Sequence, residues 1–461
     1  MSTQTTAEAS NTDEYMLEPV PPAARRSTIG IAAIWVGFGF VVTGLVVGGT
    51  LAGQGTGKGM PFDMAMGTIA IGELVLFSLT VLLGIPAMKT GFNLSLLSKF
   101  SYGTKGFALP MIVMGLLTLG WFASILGMIG DIWGGWLGNP TGVTIIDPAW
   151  FGKTGAPVTI EVLISCLVFG ALFTWTAYRG IAAIEKVALP VAPFVLIVAL
   201  WVGITIVNEN GGFDTMVTKS AAFSGLELGY GITTVVGAWI AGAIMGVDIF
   251  RFSKHITSVI IGGAACFILT NPVLNIVGYM ASVSSGDFNF VNWMYAIGGV
   301  VAVIGVLVWT TSLWTTNNSE LYCNALYTGP VLDAFGVKAK RTTIILIVGI
   351  IGTVLGSAAF YQLFFADFIN ILGAAFVPLA GPIIVDYYFT RKGEYVGASP
   401  HKQVAVRWPG FISFALGAVL GLVFQYSVPL PGGFPAGVGA LIITMILHAI
   451  LHFAMRQPAR S

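Results

Sequence analysis

Between Thr310 and Glu320 the chain reads Thr-Thr-Ser-Leu-Trp-Thr-Thr-Asn-Asn-Ser-Glu, with six hydroxyls, two amides and one carboxylate in eleven residues. The residues before it, from Gly299 to Trp309, carry no charge and no hydroxyl. Polar groups embedded in such a segment are expensive in hydrocarbon, and they usually line a pathway. Hydroxyl oxygens, with carbonyls of unwound backbone, are what a hard cation such as Na⁺ takes as ligands. Interhelical hydrogen bonding with no transported species is the plainer alternative. Two further acids, Glu73 and Glu320, lie within or beside apolar runs. Either could carry a proton or contact a substrate, and Glu73 could equally pair with a hydroxyl as a neutral structural group. Asp248 and Arg251 are spaced for a local ion pair.

Two indoles form a second set. Trp121, in Gly120-Trp-Phe-Ala-Ser124, and Trp239, in Gly237-Ala-Trp-Ile-Ala241, sit in the middle of apolar runs, whereas Trp favours the interfacial belts of a membrane. A central indole offers a flat stacking surface, worth about 1–3 kcal/mol per base in nucleic-acid grooves. Two of them suit a planar heterocycle, with bulky packing as the bland reading.

The elements that hold these groups follow from composition. Of 461 residues 56% are hydrophobic and only 9% charged, against about 25% charged in soluble domains. The solvent for most of the chain is therefore lipid. A net charge of +1 provides no basic field for nucleic acid. Taking roughly 20 apolar residues per crossing, spans are expected at about 28–51, 64–87, 106–131, 159–178, 184–206, 231–250, 256–282, 294–317, 342–361, 365–389, 409–428 and 434–454. With these twelve spans, only Lys58, Lys153 and Lys219 of the 21 basic residues fall on the side opposite the other eighteen. The positive-inside rule then puts both termini in the cytoplasm. Residues 1–24 are polar and acidic, lack a signal-peptide pattern and are expected to be a disordered cytoplasmic tail.

Spans 1 and 6 are glycine-dense at mid-membrane, through Gly37, Gly39, Gly44, Gly48 and Gly49 in one and Gly231, Gly237, Gly242 and Gly246 in the other. Discontinuous helices in corresponding positions mark the binding site of many transporters. The five-span interval predicts two inverted repeats, residues 25–206 and 207–389, with spans 11 and 12 and a short cytoplasmic C-terminus in 390–461. Close helix packing explains the glycines equally well.

Other chemistries find no support. Cys166, Cys266 and Cys323 have no paired spacing, and His255, His401, His448 and His452 form no ligand pattern, so neither a disulfide framework nor a metal site is expected. An intramembrane enzyme would need a convergent catalytic cluster, and no His/Asp/Glu cluster is read here. A channel needs no broken-helix symmetry, and a sensor usually carries a cytoplasmic output domain. The stretch Gly53 to Lys58 lacks the spacing and the Ser/Thr of a phosphate loop, and Asn317-Asn318-Ser319 fits a glycosylation pattern inside the membrane.

Several ordered motifs together resemble the nucleobase:cation symporter family (purine/cytosine permeases), within it the cytosine permease branch. The resemblance runs from about Pro19 to about Tyr395 through Gly48-Gly49-Thr50-Leu51, Lys89-Thr90-Gly91, Phe100-Ser101-Tyr102-Gly103, Lys105-Gly106, Gly120-Trp121-Phe122, Asp248 with Arg251-Phe252, Trp314-Thr315-Thr316-Asn317, Leu321-Tyr322 and Asp386-Tyr387. It implies an all-α integral membrane protein with twelve transmembrane helices, a LeuT-like five-plus-five inverted repeat and two extra C-terminal helices. It implies a symporter that imports a nucleobase by alternating access, as a monomer of the plasma (inner) membrane, with no cofactor beyond Na⁺ as coupling ion. The implied sodium site joins Gly37 and Phe40 to Ser312, Thr315 and Thr316. The implied substrate lies between Trp121 and Trp239, over Gly237, Ala238 and Ala241, with Ser124 and Glu320 beside it. Departures from the family pattern fall in these positions. Ser312 stands for Asn, Ala238 and Ala241 for serines, Trp239 for Phe, Asn318 for an acid and Glu320 for a small residue. Cytosine, a purine, hydroxymethylpyrimidine, hydantoin and allantoin stay open as substrates, and Na⁺ and H⁺ as coupling ions.

Overall fold

With no water in the bilayer core, each crossing segment must satisfy its backbone internally, and a helix does so. The computed structural model describes residues 15–455 apart from 42, 55–56, 154 and 392–394. All twelve predicted segments are helical. Among the described residues nine helices are long and apolar enough to cross a membrane, and two more crossings count if each bent helix pair is one span. The ninth expected span is a shorter apolar helix, Arg341–Ser357, of 17 residues. Residues 1–14, Lys392, Arg456, Arg460 and the Lys186 side chain lie outside the described residues.

Span 1 is broken as expected. Helix Thr28–Gly39 ends, Phe40 leaves the helical region at φ −85° and ψ 76°, and helix Thr43–Leu51 resumes at 52° to the first. Span 6 is not broken. Leu228–Phe250 is one continuous helix, and none of its residues has a positive φ. Its glycines serve packing instead. A Cβ on Gly237 would meet the Ile369 carbonyl at 2.8 Å, and Gly373 sits against Gly237 in return. Spans 6 and 10 cross there backbone to backbone.

Three boundaries also differ. Span 8 starts at Gly299 and runs 36 residues to Ala334, so the Thr310–Glu320 stretch lies in its middle rather than at its end. The preceding residues form a separate helix, Phe290–Ile297, divided from span 8 by Gly298 and Gly299 at positive φ. Span 10 starts at Phe360, because Ala359 adopts φ 65° and turns the chain there. The tail is ordered from Tyr15 onward, against the expected disorder up to residue 24. Met16 and Val20 are buried, Asn93 donates to the Met16 carbonyl at 2.7 Å, and Arg251 donates to that of Tyr15 at 2.8 Å. These apolar anchors and buried donors fix a segment whose composition looked soluble.

Packing between spans obeys an internal exchange of n for n+5. Span 6 packs on span 2, and span 1 on span 7. Span 6 meets span 10, and span 1 meets span 5. Span 3 meets spans 9 and 10, and span 8 meets spans 4 and 5, while spans 3 and 8 and spans 4 and 9 pair with one another. The exchange is visible at residue level in spans 4 and 9. Each carries a Gly-x-x-x-Thr motif, Gly170–Thr174 and Gly349–Thr353. The Thr353 side chain covers Gly170, and the Thr174 side chain covers Gly349. Spans 11 and 12, Trp408–Tyr426 and Ala436–Ala454, pack on each other and against span 10.

The basic residues gather at one end. Arg25 donates to the Met88 carbonyl, Arg391 and Arg407 both donate to that of Phe100, and Arg341 donates to that of Ala177. Lys153 pairs with Asp367 at 3.3 Å and Lys219 reaches the Ser284 carbonyl, both at the opposite end.

Candidate functional site

The break in span 1 exposes backbone carbonyls that a continuous helix would have satisfied. Ser312 donates its hydroxyl to the Phe40 carbonyl at 2.6 Å, tying span 8 to the break. Gly37 is buried in the last helical turn before it, where carbonyls lack intrahelical partners. The Thr315 and Thr316 hydroxyls both return to the Ser312 carbonyl, at 2.7 and 3.4 Å. Such back-bonding keeps a hydroxyl satisfied in lipid while leaving its lone pairs free to face a cation. Ser312 thus joins span 8 to the break at Phe40, with Gly37 in the turn before the break and Thr315 and Thr316 in the turn of span 8 that follows Ser312. The other hydroxyls of the stretch have packing roles. Thr310 accepts from Trp133 Nε1 at 2.9 Å, and Thr311 bonds back to Leu307.

Trp121 and Trp239 are both 4% exposed, and neither indole N–H group has a partner among the described residues. Trp121 meets Phe365 and Phe368 of span 10 edge to face, each at 5.7 Å between ring centres. Trp239 meets Phe38, two residues before the span 1 break, at 5.2 Å and 88°. Each indole is therefore held by an aromatic at its edge, one beside span 10 and one beside the break. Gly120 is required where it stands, since a Cβ there would strike the Phe368 ring at 2.6 Å. Ala238 and Ala241 are buried on the Trp239 helix. Ser124 turns its hydroxyl onto its own helix at Gly120, 2.8 Å away, so it presents no free donor in this state.

Span 8 carries further buried polar groups. Asn317 donates to the Phe122 carbonyl at 3.3 Å, which places it against span 3, and its own oxygen is unpaired. Asn318 is fully buried with neither amide atom partnered. It shares a helical face with Tyr322 four residues on, and Tyr322 accepts from Arg251 at the end of span 6. Glu320, 4% exposed, has one unpaired oxygen on the same helix. The sequence marks Asn317 and Asn318 as part of a pathway-lining polar stretch, but neither is among the site residues expected from it. The signal that finds them is orphaned polarity at zero exposure.

Glu73 stands behind the broken span. Its Oε1 accepts from Asn271 at 2.6 Å and from Asn275 at 2.8 Å, so amides take the place of the hydroxyl that one of the open readings gave it. The oxygens of both amides face Gly44 in the outer half of span 1. Two turns along span 3 from Trp121, at the end opposite the basic residues, a cavity of about 250 Å³ is lined by Met128, Asp131, Tyr295, Trp309 and Tyr361. Trp309 of this lining lies one helical turn before Ser312 on span 8. Asp131 accepts from Gln362 at 2.8 Å there, a carboxylate that sequence reasoning missed because it sat at a predicted span edge.

The sequence profile described as permease for cytosine/purines, uracil, thiamine, allantoin matches residues 19–442. The chain belongs to that family. The permease is 27% identical to the cytosine permease of Escherichia coli K12 over 442 residues, 95% of this chain and 96% of that one. It is 22% identical to a hydantoin permease of Microbacterium maritypicum, covering 95% and 88% of the two chains. Its fold matches that of Mhp1, a nucleobase-cation-symport-1 family transporter with bromovinylhydantoin bound, with a TM-score of 0.75, 20% identity and 96% of each chain covered. A Na⁺-coupled sialic acid symporter matches with a TM-score of 0.67 at 11% identity, over 98% of this chain and 93% of that one. The permease is a multi-pass, all-α membrane protein with the LeuT-like inverted-repeat architecture, in agreement with the exchange of contacts described above.

Proposed function

We propose that this permease is a secondary active symporter that imports a nucleobase or related planar heterocycle with a cation by alternating access, cytosine or a purine being the substrates favoured. The observation that carries the reading is a set of buried polar atoms with no partner among the described residues. The two indole N–H groups, both atoms of the Asn318 amide, the Asn317 oxygen and one Glu320 oxygen are buried without partners. Each such group is expensive unless something pairs with it. A heterocycle with ring nitrogens and an exocyclic amine or carbonyl supplies donors and acceptors in one plane, and its faces stack on indole. Ser124 and the small residues Gly237, Ala238 and Ala241 leave room for it.

The coupling ion binds at the span 1 break. Carbonyls of Gly37 and Phe40 with the hydroxyls of Ser312, Thr315 and Thr316 form an all-oxygen set suited to Na⁺. Binding there shifts the equilibrium toward the substrate-ready state only by its differential affinity for the two states. No organic cofactor enters the cycle. The gathering of basic residues at one end supports a cytoplasmic placement of both termini and a plasma (inner) membrane location, and the permease works as a monomer.

The test is thermal stabilisation of purified protein by a panel of nucleobases, hydantoin and allantoin, in Na⁺ or in choline. A native-state ligand raises the melting temperature by mass action. The expected result is a shift with cytosine or a purine that is larger in Na⁺. A shift that ignores Na⁺ and follows pH would reassign coupling to Glu73 or Glu320, and a shift with hydantoin alone would reassign the substrate.

A further inference from the structure

His448 and His452 stand four residues apart on span 12, on one face of the helix. Span 10 brings Asp386 to them across 62 residues of sequence. Its Oδ1 lies 2.9 Å from His448 Nε2 and 3.7 Å from His452 Nδ1. One ligand atom from each of the three residues falls within 4.8 Å of every other. This overturns the expectation that the histidines form no ligand pattern. The two-histidine spacing was present in the sequence, but the carboxylate that completes it is supplied by another span.

We propose that Asp386, His448 and His452 bind a divalent transition-metal ion of the Zn²⁺ class at the basic end of spans 10 and 12. Two histidines four apart on a helix with one carboxylate is a recurrent ligand set for such ions. Tetrahedral bonds of roughly 2.0–2.2 Å place ligand atoms about 3.4 Å apart. The separations here bracket that value, so small side-chain adjustments close the site.

Three further observations favour a metal over a simple Asp–His strut. Asp386 Oδ2 is buried without any partner, an orphan that a cation would satisfy. The remaining ligand atoms are oriented from behind, as metal ligands usually are. His448 Nδ1 lies 3.5 Å from the Ser413 hydroxyl, and Thr390 donates to Asp386 Oδ1 at 2.7 Å. Asp386 and His448 are 1% exposed, while the His452 side chain is 23% exposed and leaves an opening through which an ion and a water ligand can enter. Arg391 and Arg407 act electrostatically on the cluster. Their positive charge opposes a hard dication held by electrostatics alone, such as Ca²⁺ or Mg²⁺, and leaves the advantage to ions that bond well to imidazole.

The experiment is calorimetric titration of ZnCl₂ into the full-length permease, free of any histidine tag and purified in detergent, with Co²⁺ absorption as a second probe. The expected result is one ion per chain and a visible Co²⁺ band. His452→Ala should weaken Zn²⁺ binding at least tenfold, an order expected for damage to a ligand shell, and His401→Ala should leave it unchanged. His452 is partly exposed, so its variant keeps the test valid if His448→Gln or Asp386→Asn fails to fold. Equal Zn²⁺ affinity in wild type and His452→Ala, or no binding in a well-folded sample, overturns the proposal. Both results are independent of nucleobase binding, so they stand apart from the transport assignment.

Discussion

At the scale of single residues the proposed site turns on Asn318 and Trp121. An unpaired amide at zero exposure is costly and calls for a partner, which the proposed site supplies as substrate. Asn318→Ala removes both of its hydrogen-bonding atoms, and a typical net hydrogen bond contributes about 0.5–1.5 kcal/mol. Replacement should therefore weaken substrate binding by roughly threefold to tenfold, with folding intact, measured by ligand-induced melting shifts. Trp121→Ala removes a stacking face worth about 1–3 kcal/mol, so substrate affinity should fall by one to two orders of magnitude, while Trp121→Phe should retain most of it. Ser312→Ala takes the donor from the Phe40 carbonyl and should flatten the Na⁺ dependence of substrate binding. Thr316→Ala should do the same, and unchanged Na⁺ dependence in both would remove the cation from the span 1 break. The residue types were legible in the sequence, because hydroxyls and indoles stand out in an apolar chain. Their orientation was not. Ser124 bonds back to Gly120 while Asn318 bonds to nothing, and only packing decides which side chain is left free.

At the scale of elements, glycine density alone did not distinguish a broken helix from a closely packed one. Span 1 and span 6 carry similar glycine patterns, yet only span 1 unwinds. The difference lies in the partners. Gly237 rests on the backbone of span 10 at Ile369 and Gly373, so its helix stays regular in order to fit that crossing. Gly237→Val should force spans 6 and 10 apart at an overpacking cost of about 1–3 kcal/mol. It should lower the melting temperature and remove substrate binding by displacing Trp239 two residues along. Gly170→Val and Gly349→Val offer a paired test of the repeat. Each meets the other span's threonine in the same way, so the two should lower the melting temperature by similar amounts. A loss confined to one of them would break the symmetry argument.

At the scale of the whole molecule, the apolar helical segments were legible because lipid imposes them on any chain. The n to n+5 exchange of contacts, the ordered Tyr15–Ala24 segment and the joining of Asp386 to span 12 were not, because each pairs residues far apart in sequence. Alternating access requires that the two repeats move against each other around a fixed site, and the site described here touches spans 1, 3, 6, 8 and 10. The measurement that tests this most directly is uptake of labelled cytosine and adenine by proteoliposomes holding the purified permease, under an inward Na⁺ gradient and without one. The account predicts accumulation above equilibrium that depends on the gradient and disappears in Trp121→Ala. Uptake that only equilibrates and ignores every ion gradient, including that of protons, would contradict symport and point to a channel-like pathway through the same residues.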